Sequence, residues 1–296
     1  MGFREKLRRR QKKIKSLLCV GLDPLPEKCP QCLRTSDGEV PFGTIFRWMA
    51  EIIDATAPYS CMYKLQRAHY EAIPSGELAL RAIVRYLREN YPDILIFLDC
   101  KRGDISRTQS RYRVAHFELD GVDGINFNPY MGFDVLQGLV DEKVKKQGKA
   151  LVGLCYTSNP SAREIQSAIL ADNRKLLWEY IAEKVLEWSR RLEIQENAGL
   201  VMAAAYEYPK GSGNIFSWHL KRCREIVSDD LWFLIPGVGT QKGAPKETTE
   251  NAWAGWGSMA INSSSAIIFA STGSDFAEAA GKKAKQLRDE INKYIP

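Results

Sequence analysis

Residues 94–108 read Ile94-Leu-Ile-Phe-Leu-Asp99-Cys-Lys101-Arg-Gly-Asp104-Ile-Ser-Arg-Thr108. Five apolar residues in a row describe a short strand buried on both faces. Three ionisable groups, Asp99, Lys101 and Asp104, follow within six positions. Side chains at i and i+2 of a strand share a face roughly 6–7 Å apart. Asp99 and Lys101 are therefore expected to project together from the strand's end, with Asp104 in the next loop. A carboxylate, an ammonium and a second carboxylate at the edge of a buried strand suit proton transfer beside a developing negative charge. A purely structural Asp99–Lys101 ion pair is the other reading of the same residues.

Similar apolar runs recur along the chain at 17–22, 61–65, 124–128, 150–155, 199–204, 231–236 and 259–262. With 94–99 that makes eight strand candidates. Amphipathic stretches lie between them at 42–57, 77–90, 163–192, 213–227, 246–255 and 275–294. The first carries Ile45, Met49, Ile52 and Ile53 on one helical face. Near-continuous apolar strands alternating with helices mean a parallel sheet covered by helices. Eight such units in 296 residues fit an α/β fold of the closed (β/α)8 TIM-barrel type, a single domain over 1–296. A doubly wound open sheet is the competing arrangement, but no G-x-G-x-x-G follows the first strand. Segment 24–43, rich in Pro, Cys and charge, is expected to be an elaborated first loop.

In such a barrel the active site lies at the carboxyl ends of the strands, and those ends are polar here. Asp23 follows the first strand and Lys64 lies in the second. Asn126 and Asn128 end the fourth, and Thr157-Ser158-Asn159 the fifth. The seventh runs into Pro236-Gly-Val-Gly239-Thr-Gln241-Lys-Gly243, and the eighth into Asn262-Ser-Ser-Ser265. Loops after strands seven and eight often hold phosphate. Gly237, Gly239 and Gly243 would let backbone N–H groups approach an anion closely, and the Gln241 amide can donate. Asp23 as a turn cap and Lys64 as a snorkelling or Schiff-base lysine remain alternatives.

The net charge is +6, and much of it sits in a basic helix expected over about 1–16. Arg4, Lys6, Arg8, Arg9, Arg10, Lys12, Lys13 and Lys15 face only Glu5 there. A solvated helix leading into the first strand is the expectation, rather than an RNA-binding arm, because the remainder is close to neutral. Seven cysteines, an odd count with several in apolar runs, argue against a disulfide framework and for a reducing compartment. Cys29 and Cys32 form a C-x-x-C with no second pair, so no zinc site is expected. His69, His116 and His219 share no metal-ligand spacing and are expected to be ordinary residues. No apolar run reaches the ~20 residues that span a bilayer, and no signal peptide is expected at the amino end.

The motif Asp99-x-Lys101-x-x-Asp104-Ile resembles the D-x-K-x-x-D-I signature of the orotidine 5′-phosphate decarboxylase family. The Lys101-Arg-Gly-Asp-Ile105 form and the Asn-Pro-Tyr-Met-Gly run at 128–132 are similar to the longer bacterial subgroup. The likeness covers essentially the whole chain, through Val20-Gly-Leu-Asp-Pro24, Lys64, Thr157-Ser-Asn-Pro160, Pro236-Gly-Val-Gly-Thr-Gln241 and the Asn-Ser-Ser at 262–264. It implies decarboxylation of orotidine 5′-monophosphate to UMP in pyrimidine biosynthesis, in the cytoplasm, without cofactor or metal. It implies that Lys101 is the proton donor and that Lys64, Asp99 and Lys101 form three of four alternating charges. Asp104 would be the fourth, entering the partner's site across a homodimer interface, with Thr108 reaching the ribose beside it. Asp23 would bind a ribose hydroxyl, Ser158 the pyrimidine amide, and Gln241 with Gly239 the phosphate. No nucleic acid or membrane partner is implied. One position departs from the pattern: Ser265 stands where the family usually has a phosphate-binding Arg. That departure motivates an alternative, a weakened UMP-binding homologue. A second alternative is a Mg-dependent sugar-phosphate enzyme of the same barrel suprafamily, which uses a similar D-x-K-x-x-D.

Overall fold

The computed structural model describes residues 1–238 and 243–296. Ten strands lie among them: β1 (Leu18–Gly21), β2 (Met62–Gln66), β3 (Leu95–Arg102), β4 (Gly124–Phe127), β5 (Ala150–Tyr156), β6 (Ala198–Met202), β7 (Tyr206–Glu207), β8 (Ile215–Phe216), β9 (Trp232–Pro236) and β10 (Met259–Ser263). All but β7 and β8 join one closed parallel barrel, in the order β1-β2-β3-β4-β5-β6-β9-β10. It closes where Leu18, Cys19 and Val20 pair with Ile261, Asn262 and Ser263. Each of the eight apolar runs contributes one barrel strand.

Period-two alternation separates two cores. Cys19, Met62, Leu95, Phe97, Ala150, Val152, Trp232 and Leu234 fill the barrel interior. Their neighbours Val20, Ile96, Leu98, Leu151, Phe233 and Ile235 belong to the larger core packed under the helices. Both faces of each strand are apolar because both are buried.

The basic amino-terminal segment forms helix α1 (Phe3–Ile14), and here the expectation of a solvated helix needs correction. Phe3 stacks on Trp232 with ring centroids 5.1 Å apart and meets Phe97 edge-on at 6.5 Å. Phe3 and Leu7 belong to the interior core, so α1 seals the barrel floor. Gln11 donates to Met259 O (2.7 Å) and accepts from Gly257 N (2.8 Å). Arg10 is buried, donates to Ala57 O (2.6 Å) and pairs with Asp93 (2.9 Å). Among the cations of this segment, only Lys6, Arg9, Lys12, Lys13 and Lys15 are exposed. Two apolar residues four apart were enough to bury one face of a helix whose composition is almost wholly charged.

Other differences have local causes. The helix expected over 163–192 divides into Ala162–Gln166 and Leu177–Arg191. Between them Asn173 Oδ1 accepts from Lys175 N (3.0 Å) and Arg174 sits at φ +59°. This Asx turn replaces helical bonding. The helix expected over 213–227 begins only at Trp218, because Ile215–Phe216 pairs antiparallel with Tyr206–Glu207. Residues 106–119, polar and without an apolar stripe, form an unforeseen helix, Ser106–Arg113, that runs into a π-helical turn, Val114–Leu119. The 24–43 segment is held by two 3-10 turns, Pro26–Lys28 and Gln31–Leu33.

Truncating Phe3 to Ala removes the floor's aromatic plug. The expected cost is about 3 kcal/mol, read as a lower urea midpoint at unchanged m-value. A loss under about 0.5 kcal/mol would mean that the floor is closed by other groups.

Candidate active site

The mouth of the barrel holds a cavity of about 330 Å3 at the strands' carboxyl ends. Parallel register sets its charged wall. Gly21 pairs with Lys64, and Gln66 with Asp99, so the tips of β1, β2 and β3 stand side by side. Lys64 is buried, with its Nζ 3.4 Å from Asp23 Oδ2 and 3.7 Å from Asp99 Oδ2. Lys101 Nζ lies 2.6 Å from Asp99 Oδ1, and its side chain is 49% exposed. Gln66 N–H donates to Asp23 Oδ1 at 2.9 Å. Asp23, Lys64, Asp99 and Lys101 thus alternate in charge across three strands.

Burial pushes the Asp99 carboxyl up, but the Lys64 and Lys101 ammoniums and hydrogen bonds from Lys101 and Asn126 outweigh it and hold the group below its usual range. Burial likewise pulls Lys64 down, and the Asp23 and Asp99 carboxylates more than reverse this. Lys64 is an ammonium under ordinary conditions, which disfavours the Schiff-base reading.

Lys101 reaches the mouth by a route that simple alternation misses. Register shifts between Leu98 and Arg102: these pair with Ile125 and Phe127, so β3 uses four steps where β4 uses two. Lys101 adopts φ +47°, a left-handed conformation that costs a non-glycine residue about 1–3 kcal/mol. Asn126 holds this bulge. Its Oδ1 accepts from Cys100 N (2.9 Å) and Lys101 N (2.7 Å), while its Nδ2 donates to Asp99 Oδ1 (2.7 Å). Sequence reasoning noted the polar end of β4 but gave Asn126 no part. Its signal was an amide between Ile125 and Phe127 in an otherwise buried strand.

Ser158 lines the cavity between Thr157 and Asn159. Gln166 braces that loop, accepting from Thr157 N (2.9 Å) and donating to Thr157 Oγ1 (2.8 Å). Gly237, Ser263, Ser264 and Ser265 line the rim at β9 and β10. A side chain at Gly21 would meet Ser264 Oγ at 1.8 Å, so this approach of β1 to the serine run requires glycine. Ser263 Oγ is buried with no partner among the described residues. Gly239, Gln241 and Lys242 lie outside the described residues.

Asp104 and Thr108 are absent from the described residues lining the mouth. Asp104 Oδ1 accepts from Ile105 N (2.8 Å), and Thr108 lines a separate surface cavity with Arg107, Ser110 and Arg111. One chain does not bring them to Lys101.

Residues 16–282 match the model of the orotidine 5'-phosphate decarboxylase / HUMPS family. The chain belongs to this family. It is 37% identical over 296 residues to an orotidine 5'-phosphate decarboxylase of Ralstonia nicotianae, covering 99% of each chain. Among solved structures it is similar to the OMP decarboxylase of Leishmania donovani, at 29% identity and TM-score 0.76, covering 99% of this chain and 98% of that one. The UMP synthase of the same organism matches at 28% identity and TM-score 0.76, and the chain spans 57% of its length. Membership fits the charged wall at β1–β3 and the closed barrel that presents it.

A Lys64→Met substitution takes away one of the two ammoniums that hold the Asp99 carboxyl low. The Asp99 pKa, followed by carboxyl carbon NMR, is expected to rise. A carboxyl held low stabilises the fold fully above its unfolded value of about 3.9 and loses that contribution as pH falls through the folded value. The Asp99 contribution to stability is therefore smaller in the variant, and it is exhausted at higher pH than in the wild type. An unchanged Asp99 titration would remove Lys64 from the electrostatics of the site.

Proposed function

We propose that this chain, as a single barrel domain, decarboxylates orotidine 5′-monophosphate to UMP in pyrimidine biosynthesis, with Lys101 delivering a proton to C6. The observation that carries this reading is the Lys101 ammonium, half-exposed in the mouth and held at 2.6 Å by a half-buried carboxylate, in a member of this family. Breaking the C6–carboxylate bond leaves an electron pair in the ring plane, where no ring position conjugates with it. Stabilisation must come from outside the ring. A fixed ammonium beside C6 favours the developing anion and then quenches it. Asp99 aims Lys101, and Lys64 helps to keep Asp99 ionised.

In this reading Asp23 binds a ribose hydroxyl and Ser158 the pyrimidine amide, while Gln241 and Gly239 take the phosphate. The phosphate does no chemistry; its binding energy orders the reacting end. Ser265 supplies a hydroxyl where the family usually has Arg. The lost charged hydrogen bonds are worth roughly 1.5–3 kcal/mol each, a cost in affinity rather than in chemistry. The Mg-dependent alternative is disfavoured because Asp23 and Asp99 already face a buried ammonium, which repels a divalent cation from the space between them. The reaction needs no cofactor.

Asp104 and Thr108 complete the site of a partner subunit in a homodimer. Ile105, Tyr130 and Met131 support this reading: they are large apolar residues exposed near Asp104, Tyr130 by 81%. The Asn128 N–H to Arg102 O bond (2.7 Å) ties the two loops that carry them. Burying such a patch is favourable. Free thiols and the pathway support a cytoplasmic location. Among the described residues no helix is long and apolar enough to cross a membrane. Neither nucleic acid nor membrane is a partner in this reading.

Purified protein in EDTA should deplete orotidine monophosphate, followed by ultraviolet absorbance. Lys101→Ala should lower kcat by at least about 10³-fold while UMP affinity stays within a few-fold. No turnover by the wild type, or parallel loss of binding and turnover in the variant, would refute the assignment. Mixing Lys64→Ala with Asp104→Ala subunits should restore part of the activity, because one hybrid site has all its residues. Verified heterodimers without recovery would refute the shared site.

A further inference from the structure

His116 lies behind the catalytic bulge, on the side away from the mouth. It is buried in the π-helical turn Val114–Leu119, where Asp120 N–H bonds to Ala115 O five residues back (2.9 Å). Such turns are rare and concentrate at functional sites. Here the turn places one imidazole between two fixed partners. Arg102 Nε, which can only donate, lies 3.1 Å from His116 Nε2. Nε2 is therefore the unprotonated nitrogen. Nδ1 carries the proton and gives it to Asp120 Oδ2 at 2.9 Å.

Asp120 is fully buried and fixed by Arg67 (3.0 Å) and Arg81 (2.9 Å). The Arg102 guanidinium also lies over the Tyr112 ring at 4.4 Å, and Tyr112 stacks on His116 at 6.1 Å. Arg102 is the residue at which β3 regains register with β4 after the bulge. Its carbonyl accepts from Asn128 N. The left-handed Lys101 is thus clamped between Asn126 on the inner side and Arg102 on the outer.

Resting on the decarboxylase reading, we propose that His116 is a positioning residue: through Arg102 it anchors the outer end of the bulge and so fixes where Lys101 points. The anchor requires neutral imidazole, since a second ring proton would remove the acceptor and set a cation against Arg102. The surroundings favour the neutral form. Burial lowers the His116 pKa most, Arg102 and Arg67 lower it further, and Asp120 opposes them, leaving it below the usual histidine value. From its own turn the ring faces Asp120. From β3 it faces Arg102, from the helix Arg67–Glu71 it faces Arg67, and from the helix Ser106–Arg113 it faces Tyr112. Arg81 acts through Asp120 and Glu77 through Arg67, while Glu71 pairs with Arg67 and also lies 3.6 Å from the Arg102 guanidinium.

The test compares His116→Leu, which removes the acceptor, with His116→Gln, whose amide oxygen can replace it. Arg102→Lys, which keeps the charge and removes Nε, covers the case in which the first fails to fold. Hydrogen–deuterium exchange at Cys100 and Lys101 should quicken at least tenfold in His116→Leu and in Arg102→Lys. Ile261, on the far side of the barrel, should not change, and His116→Gln should stay close to wild type. The kcat per folded enzyme should fall about tenfold or more in His116→Leu with KM little changed, and recover in His116→Gln. The acid limb of kcat in His116→Gln should reach lower pH than in the wild type. Unchanged exchange at 100–101 in folded His116→Leu or Arg102→Lys overturns the proposal, as does unchanged kcat where the wild type is active. A wild type that never turns over substrate defeats the decarboxylase reading instead, and the exchange measurement still decides the role of His116.

Discussion

The site depends on one buried ammonium. Lys64 sits inside the barrel mouth with almost no access to water, and burying such an ion costs several kcal/mol unless it is paired. Asp23 and Asp99 pair it from the neighbouring strand tips. Removing both acids would leave an uncompensated charge in the interior, a penalty of about 3–5 kcal/mol. The same contacts keep Asp99 ionised, and Asp99 spends its other oxygen on Lys101. Folding and site geometry are coupled here: the pairing that makes the interior tolerable also orients the exposed ammonium.

Asn126 and the bulge add direction to this charge pattern. A regular strand would carry Lys101 on a fixed pleat. Two extra residues and a left-handed φ swing it instead, and the amide of Asn126 satisfies the two backbone donors that the bulge takes out of the ladder. Strain of this kind persists only where surrounding contacts over-determine it. The outer contacts, Arg102 to His116 to Asp120, lie in a part of the chain whose helix has no apolar stripe at all.

This explains what could be read from sequence and what could not. The eight barrel strands were legible because each is buried on both faces, which leaves an uninterrupted apolar run such as Ile94–Leu98. The place of Asp99, Lys101 and Lys64 at the mouth was legible because charge within or at the end of such a run is rare. Asn126 was not, since a single amide in a strand could face a turn, a ligand or a bulge. Nor was the π-helical turn, because its i→i+5 bonding leaves no period that a search for 3.6 would find. Helix α1 misled for a related reason: seven cations hid the two residues, Phe3 and Leu7, that decide where it packs. The break at 167–176 turned on an Asx turn and one left-handed arginine, which the apolar pattern on either side does not report. Asp104 and Thr108 stand apart, for their proposed roles need a second subunit.

Helix α1 has a further bearing on traffic. With Phe3 wedged against Trp232 and Gln11 bridging the lower rim, the cylinder is stoppered at one end. The interior above it is filled with side chains, so the cavity among the described residues belongs to the opposite rim and has no passage through the floor.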